Sequence, residues 1–136
     1  MDWKECWDKK IVKNVGKDED LIKSLIKSSE NKKKTYERIK IDDITSSSMI
    51  SLAYDSLREL IEALSLKEGF KIYNHECYTS FLKEIIKDSE LGEKFDNIRK
   101  IRNSINYYGK EISIDESIKI IKIIKELKEK IKEMLK

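Results

Sequence analysis

Apolar residues recur every three or four positions along most of this chain, which is the spacing of one face of an α-helix. The pattern predicts a short helix over residues 2–12 and long helices over 18–38, 45–66 and 90–107. Another helix begins at Asn74 and stops around 87–89, and the last runs from 113 to the C-terminus. These elements predict an all-α fold, an up-and-down bundle of four main helices with a short additional N-terminal helix.

Local signals mark several of the predicted helix ends. Gly16 is expected to end the first helix, and Asn74 reads as an N-cap. Gly109 follows the fifth helix as a residue suited to the left-handed conformation, and the stretch from Ser113 to Glu116 is a capping box for the last helix. The whole chain therefore reads as one helical domain, 1–136, in which 1–16 is an N-terminal helical extension.

The N-terminal helix carries both tryptophans of the protein. Trp3, Cys6, Trp7 and Ile11 share one helical face. We expect the indole rings to anchor this segment on the bundle. A face that docks a partner protein is the alternative.

Composition restricts the function less than the pattern does. There are 29 basic and 26 acidic residues, no proline and four glycines. The resulting net charge of +3 does not by itself indicate a nucleic-acid-binding protein, because lysines and glutamates alternate as on a solvated surface.

The chain offers little for metal or cofactor chemistry. Cys6 and Cys77 are far apart and there is one histidine, so neither a zinc site nor a disulfide framework is indicated. Gly-rich phosphate loops and metalloprotease motifs are absent, and we expect no metal and no cofactor. No apolar run reaches membrane-spanning length and no signal peptide is evident, so the sequence predicts a cytoplasmic protein without membrane contact.

Arg102 is the least ordinary residue of the pattern. On a helical wheel with Ile98 at 0°, it falls at about 40°, inside the apolar arc, while Asn106 and Arg99 follow at the edge of that arc. A guanidinium aimed at a packed face needs partners. It either binds a phosphate or carboxylate, or it pairs with a neighbouring helix, through Asp55 or Glu59.

The surrounding residues indicate a binding site for a nucleotide or RNA. Guanidiniums contact phosphates, amides donate and accept hydrogen bonds, and phenols stack on bases. The candidates are Arg99, Arg102, Asn103, Asn106, Tyr107 and Tyr108. His75 is a further candidate for acid–base chemistry, although a histidine at a helix start more often caps or packs.

The stretch from Arg102 to Gly109 resembles the HEPN superfamily, whose domains are small helical bundles with an Arg, often followed by Asn, and then a His four to six residues later. Residues 52–60 (LAYDSLREL) and 69–76 (GFKIYNHE) are also similar to prokaryotic members. The resemblance covers about residues 18 to 135. It implies a dimer with a shared site, metal-independent endoribonuclease activity, and a minimal nucleotidyltransferase of toxin–antitoxin type as partner.

This chain departs from the family pattern at the catalytic histidine. Positions 107, 108 and 109 are Tyr, Tyr and Gly. A phenol keeps its proton at neutral pH and is a poor base. The resemblance therefore implies a catalytically degenerate domain that binds RNA or a nucleotide as a dimer.

Two alternatives stay open on the sequence alone. An active ribonuclease would recruit His75 or Tyr107 for the missing role, beside Arg102 for the phosphate. A purely structural or protein-interaction bundle would use Arg102 as a buried ion-pair residue.

Overall fold

The computed structural model describes all 136 residues and contains six α-helices and one two-stranded sheet. In chain order the elements are α1 (Trp3–Asp8), β1 (Val12–Asn14), α2 (Glu19–Glu37), α3 (Ser46–Lys67), β2 (Phe70–Ile72), α4 (His75–Ser80) with a π-helical continuation (Phe81–Ile85), α5 (Ser89–Tyr108) and α6 (Ile114–Met134). The prediction of a mainly helical fold is confirmed. None of the helices combines the length and apolar character needed to cross a membrane.

The long helix α3 forms the centre of the core. Ile50, Leu57, Leu60 and Ile61 on this helix are fully buried, and α2, α5 and α6 all pack against it. Burying an aliphatic side chain of this size contributes about 1.5–3 kcal/mol. Since α3 lies between the other long helices, side chains of α4 and α5 pack against it.

Polar side chains cap most helices at their N-termini. Asp18, Asn74, Asp88 and Ser113 each accept a hydrogen bond from a backbone N–H in the first turn of the following helix. Gly109 ends α5 in the left-handed conformation with φ 61°. The predicted caps at Asn74 and Ser113 and the predicted role of Gly109 are therefore confirmed.

The prediction of one helix over residues 2–12 is wrong. Helix α1 ends at Asp8, and the chain then turns into β1, which pairs antiparallel with β2 so that Val12 lies opposite Ile72. The helical spacing of apolar residues ends with Ile11. At this point the β-branched residues Ile11 and Val12 lie beside another extended segment of the chain. Pairing across the chain decides the conformation of so short a segment.

The tryptophans anchor the N-terminal segment, as expected. The rings of Trp3 and Trp7 pack edge-on against Phe70, with centroids 5.3 and 6.1 Å away, and Trp3 also contacts Phe81. The N-terminal segment therefore packs against the rest of the molecule through these rings.

The structure also contains a disulfide that the sequence did not indicate. Cys6 on α1 and Cys77 on α4 form a disulfide, and both residues are fully buried. The two cysteines are far apart in sequence, so their pairing could not be predicted without knowing where α1 and α4 meet. The predicted cytoplasmic location rested in part on free cysteines, and that support is lost.

Helix α4 departs from regular geometry at its C-terminal end. The predicted single helix becomes α4 followed by the π-helical turn Phe81–Ile85. Helix α5 approaches this turn so closely that a Cβ atom at Gly92 would lie 2.5 Å from Cγ of Lys83 and 3.3 Å from the Thr79 carbonyl oxygen. Glycine at position 92 therefore permits the close approach of α5 to the end of α4 and to the π-helical turn.

Candidate functional site

A polar cleft of about 260 Å³ lies between the start of α4 and the C-terminal half of α5. Its lining comprises Tyr73, Asn74, His75, Glu76, Arg99, Arg102, Asn103 and Tyr107. The residues from α5 are spaced by three, one and four positions, which places them on neighbouring faces of successive turns. The remaining residues follow directly after β2, so the sheet fixes where the opposite wall begins.

Arg102 lies half-buried between α5 and α3, with 19% of its side chain exposed. Its guanidinium carbon lies 5.2 Å from the centroid of the Tyr54 ring, and Nη2 lies 3.8 Å from Oδ1 of Asp55. With the amide oxygen of Asn106 oriented toward it, Nη2 and Nε donate to that oxygen at 3.2 and 3.1 Å. Five N–H donors are available on a guanidinium. The group is thus held in place while keeping donors for a ligand.

Arg99 is positioned by an acidic neighbour on its own helix. Its Nε and Nη2 donate to Oδ1 of Asp96 at 3.0 and 2.8 Å. Burial alone would raise the pKa of Asp96, but hydrogen bonds from Arg99, Thr79 and Lys100 outweigh it and hold that pKa below its ordinary value. Asp96 therefore stays ionised and fixes Arg99 at the edge of the cleft.

His75 forms the wall opposite the arginines. The side chain of Asn74 caps α4 by accepting from the Glu76 N–H at 2.8 Å, and this cap orients the first turn. Nδ1 of His75 lies 2.9 Å from the hydroxyl of Tyr54, which is fully buried under the cleft. The hydrogen bond from Tyr54 of α3 therefore orients the single histidine of the chain.

The electrostatics of the cleft keep His75 neutral. Burial, followed by the positive charges of Arg58, Arg102 and Arg99, lowers the pKa of His75 to about 4. Burial also raises the pKa of Tyr54, so its phenol keeps a proton to donate to Nδ1. The hydrogen bond between these two groups therefore joins a neutral imidazole to a protonated phenol.

The charge balance of the cleft favours an anion. Its lining holds two guanidiniums, Arg99 and Arg102, against one carboxylate, Glu76. Asn103 adds an amide and Tyr107 a phenol with 71% exposure. Fixed donors around a small, partly desolvated space suit a phosphate group, because charge-assisted hydrogen bonds are about twice as strong as neutral ones.

The structure thus brings five of the predicted site residues together and leaves two outside. His75, Arg99, Arg102, Asn103 and Tyr107 line the cleft. Asn106 faces α3, where it supports Arg102 and lies 3.3 Å from the Ser51 hydroxyl. Tyr108 is 86% exposed and points away.

Tyr54 is the functional candidate that the sequence reasoning missed. It falls in the apolar stripe of α3, so its position on the wheel is that of a core residue. Its hydroxyl nevertheless contacts His75 and its ring lies under Arg102. The one feature of the sequence that could have identified Tyr54 is its position within segment 52–60, which resembles HEPN domains.

A larger cavity of about 550 Å³ adjoins the cleft and shares Glu76 and Arg99 with it. Its lining holds as many carboxylates as cations: Asp2, Glu76, Glu84 and Asp96 against the Met1 amine, Lys83, Arg99 and Lys100. Carboxylates and cations are equal in number in this lining, whereas guanidiniums outnumber carboxylates in the lining of the smaller cleft, which is therefore the better candidate for an anionic ligand.

No protein-family model matches the chain, and no curated protein matches it either. The resemblance to HEPN domains therefore stays a prediction from the sequence.

Proposed function

We propose that this protein is a HEPN-like domain, an up-and-down four-helix bundle that binds a nucleotide or RNA as a homodimer. The single observation that supports this most is the convergence of Arg99 and Arg102 with His75 in one polar cleft. The expected partner, from the resemblance alone, is a minimal nucleotidyltransferase of the toxin–antitoxin type.

The state of His75 favours binding over catalysis. A base whose pKa is about 4 accepts a proton poorly near neutral pH, where general catalysis is most efficient with a pKa close to the working pH. The two arginines contribute to that low pKa. A bound phosphate would offset their charge, so ligand binding should raise the pKa of His75.

The single histidine provides a direct binding test. We would titrate the protein with nucleoside monophosphates and short single-stranded RNA while following the imidazole resonances of His75 by NMR. Arg102→Ala should weaken binding about 10- to 100-fold, since a hydrogen bond to a charged group contributes about 1.5–3 kcal/mol. Arg38→Ala removes an exposed arginine at the end of α2 and is the matched control.

Binding should shift the His75 resonances and raise its pKa in the wild type and in Arg38→Ala. If millimolar nucleotide and RNA leave these resonances unchanged, the proposed function is wrong. In that case the structural alternative, favoured by the 3.8 Å contact between Arg102 and Asp55, gains support.

An active metal-independent endoribonuclease is the second candidate. It is favoured by one observation, that His75 lies in the same cleft as Arg102 although it comes from a different helix. Incubation of pure protein with RNA in EDTA tests it. Cleavage that disappears in both His75→Gln and Arg102→Ala would establish the activity.

A further inference from the structure

Ile44 is the most exposed aliphatic residue of the chain and yet it is held rigidly. It is 88% exposed and lies in the connection between α2 and α3. Oδ1 of Asp42 accepts from the backbone N–H of Ile44 at 2.8 Å and from that of Thr45 at 2.9 Å. The Thr45 hydroxyl in turn donates to the Lys40 carbonyl at 2.7 Å. The loop therefore presents Ile44 as a preorganised apolar protrusion.

An apolar groove of about 270 Å³ includes Ile39 and Ile41 of the same connection in its lining. Its apolar lining comes from the same connection and from α2, α3 and α6: Tyr36, Ile39, Ile41, Met49, Ile118 and Ile121. Ile118 remains 51% exposed. Scattered exposed isoleucines are ordinary, but a concave apolar surface next to a rigid apolar protrusion is a feature of interaction sites.

The charges around the two features are complementary. Asp43, which is exposed, directly precedes Ile44. The groove carries Lys33 and Lys125 at its rim against one carboxylate, Glu37. The protrusion is thus flanked by negative charge and the groove by net positive charge.

Protrusion and groove belong to one chain and lie close together, because Ile41 in the groove wall is only three residues from Ile44. A two-fold axis brings the same surface of two copies face to face, so each copy can insert its protrusion into the groove of the other. We propose that a second copy of this chain docks here, with Ile44 in the groove and Asp43 facing the lysines of its rim.

This inference names the surface of the dimer in the proposed function and rests on that dimer, but not on the ligand. Ile44 also lines a shallow cavity with Ile105 and Gly109 at the C-terminal end of α5. A dimer through this loop would therefore bring the ends of the two α5 helices toward the axis.

Sedimentation velocity over a concentration series of the full chain tests the proposal. The wild type should self-associate, and Ile44→Glu and Ile118→Glu should each raise the dissociation constant at least ~10-fold, as expected for central contacts. Ile123→Glu is the matched control, because Ile123 lies on α6 with 37% exposure but outside the groove. Circular dichroism should show unchanged folding for all three, since the replaced side chains are exposed.

A charge exchange tests the pairing itself. Asp43→Lys and the double variant Lys33→Glu/Lys125→Glu should each associate weakly, whereas a mixture of the two should associate like the wild type. Lys122→Glu, an exposed change outside the groove, should have no effect.

A wild type that stays monomeric at all concentrations would overturn the proposal, together with the dimer in the proposed function. Association that is insensitive to Ile44→Glu or to Ile118→Glu would overturn this surface while leaving the dimer intact. The nucleotide titration of His75, repeated on Ile44→Glu, reports on the ligand separately from either result.

Discussion

Replacing Lys128 with methionine should make this protein more stable at neutral pH. Lys128 lies on α6 with 1% exposure, and its Nζ has no hydrogen-bond partner. Its ammonium group lies over the Tyr36 ring, 5.9 Å from the ring centroid. A buried charge without a partner is costly, and methionine fills a similar volume without one.

The pKa of Lys128 sets the size and the pH dependence of the effect. Burial, and then the positive charge of Lys132, lower that pKa to about 8. In the unfolded chain a lysine titrates near about 10.4, so between these values the unfolded state binds more protons and stability rises with pH. At about 1.4 kcal/mol per pH unit, the cost below pH 8 amounts to roughly 3 kcal/mol.

The assay is urea denaturation followed by circular dichroism from pH 6.5 to 10.5. The free energy of unfolding of Lys128→Met should exceed that of the wild type by roughly 3 kcal/mol at pH 7, and this difference should shrink to a few tenths near pH 10.5. Lys122→Met, at an exposed position of the same helix, should match the wild type throughout. A less stable Lys128→Met protein, or a difference that does not change with pH, would refute the reasoning.

Three further predictions concern the cleft. Arg102→Ala should lower the free energy of unfolding by about 1 kcal/mol or less, because the ion pair of Arg102 with Asp55 is long and partly exposed. A loss of about 3–5 kcal/mol in urea denaturation would instead indicate a buried structural pair. Wild-type protein should cleave RNA negligibly, whereas Tyr107→His should increase EDTA-resistant cleavage about 10²–10⁴-fold. This gain should be lost when Arg102→Ala is added. Efficient wild-type cleavage that Tyr107→His does not increase would contradict the prediction. The folded-state pKa of His75 is about 4, below the unfolded value, so protonation of this residue favours the unfolded chain. As the pH falls from 6.5 to 4, the free energy of unfolding should therefore decrease more steeply for the wild type than for His75→Gln. Identical slopes in parallel denaturation curves would count against the low pKa.

Local signals explain what the sequence predicted well. The ends of α2, α3, α5 and α6 came within one or two residues of their predicted positions, because helical spacing and caps such as Ser113 act over a few neighbouring residues. The partial burial of Arg102 also followed from the wheel, because its position within α5 depends only on the regular helical repeat.

The missed features all depend on contacts between distant parts of the chain. Strand β1 exists only because β2 lies beside it, and the disulfide between Cys6 and Cys77 exists only because α1 meets α4. Tyr54 looked like an ordinary core residue, because a wheel shows which way a side chain points but not what its hydroxyl meets. The low pKa of His75 likewise required the positions of three arginines on two other helices.

The pairing of β1 with β2 also has a consequence for the order in which the molecule assembles. The N–H of Tyr73 donates to the carbonyl of Ile11 at 2.9 Å, two residues before His75. The pairing of Val12 with Ile72 closes a loop that contains both α2 and α3. Contacts that close so long a loop form slowly relative to local ones. We therefore expect the wall of the cleft to be completed late in folding, so that a chain with native helix content has not yet acquired its binding site.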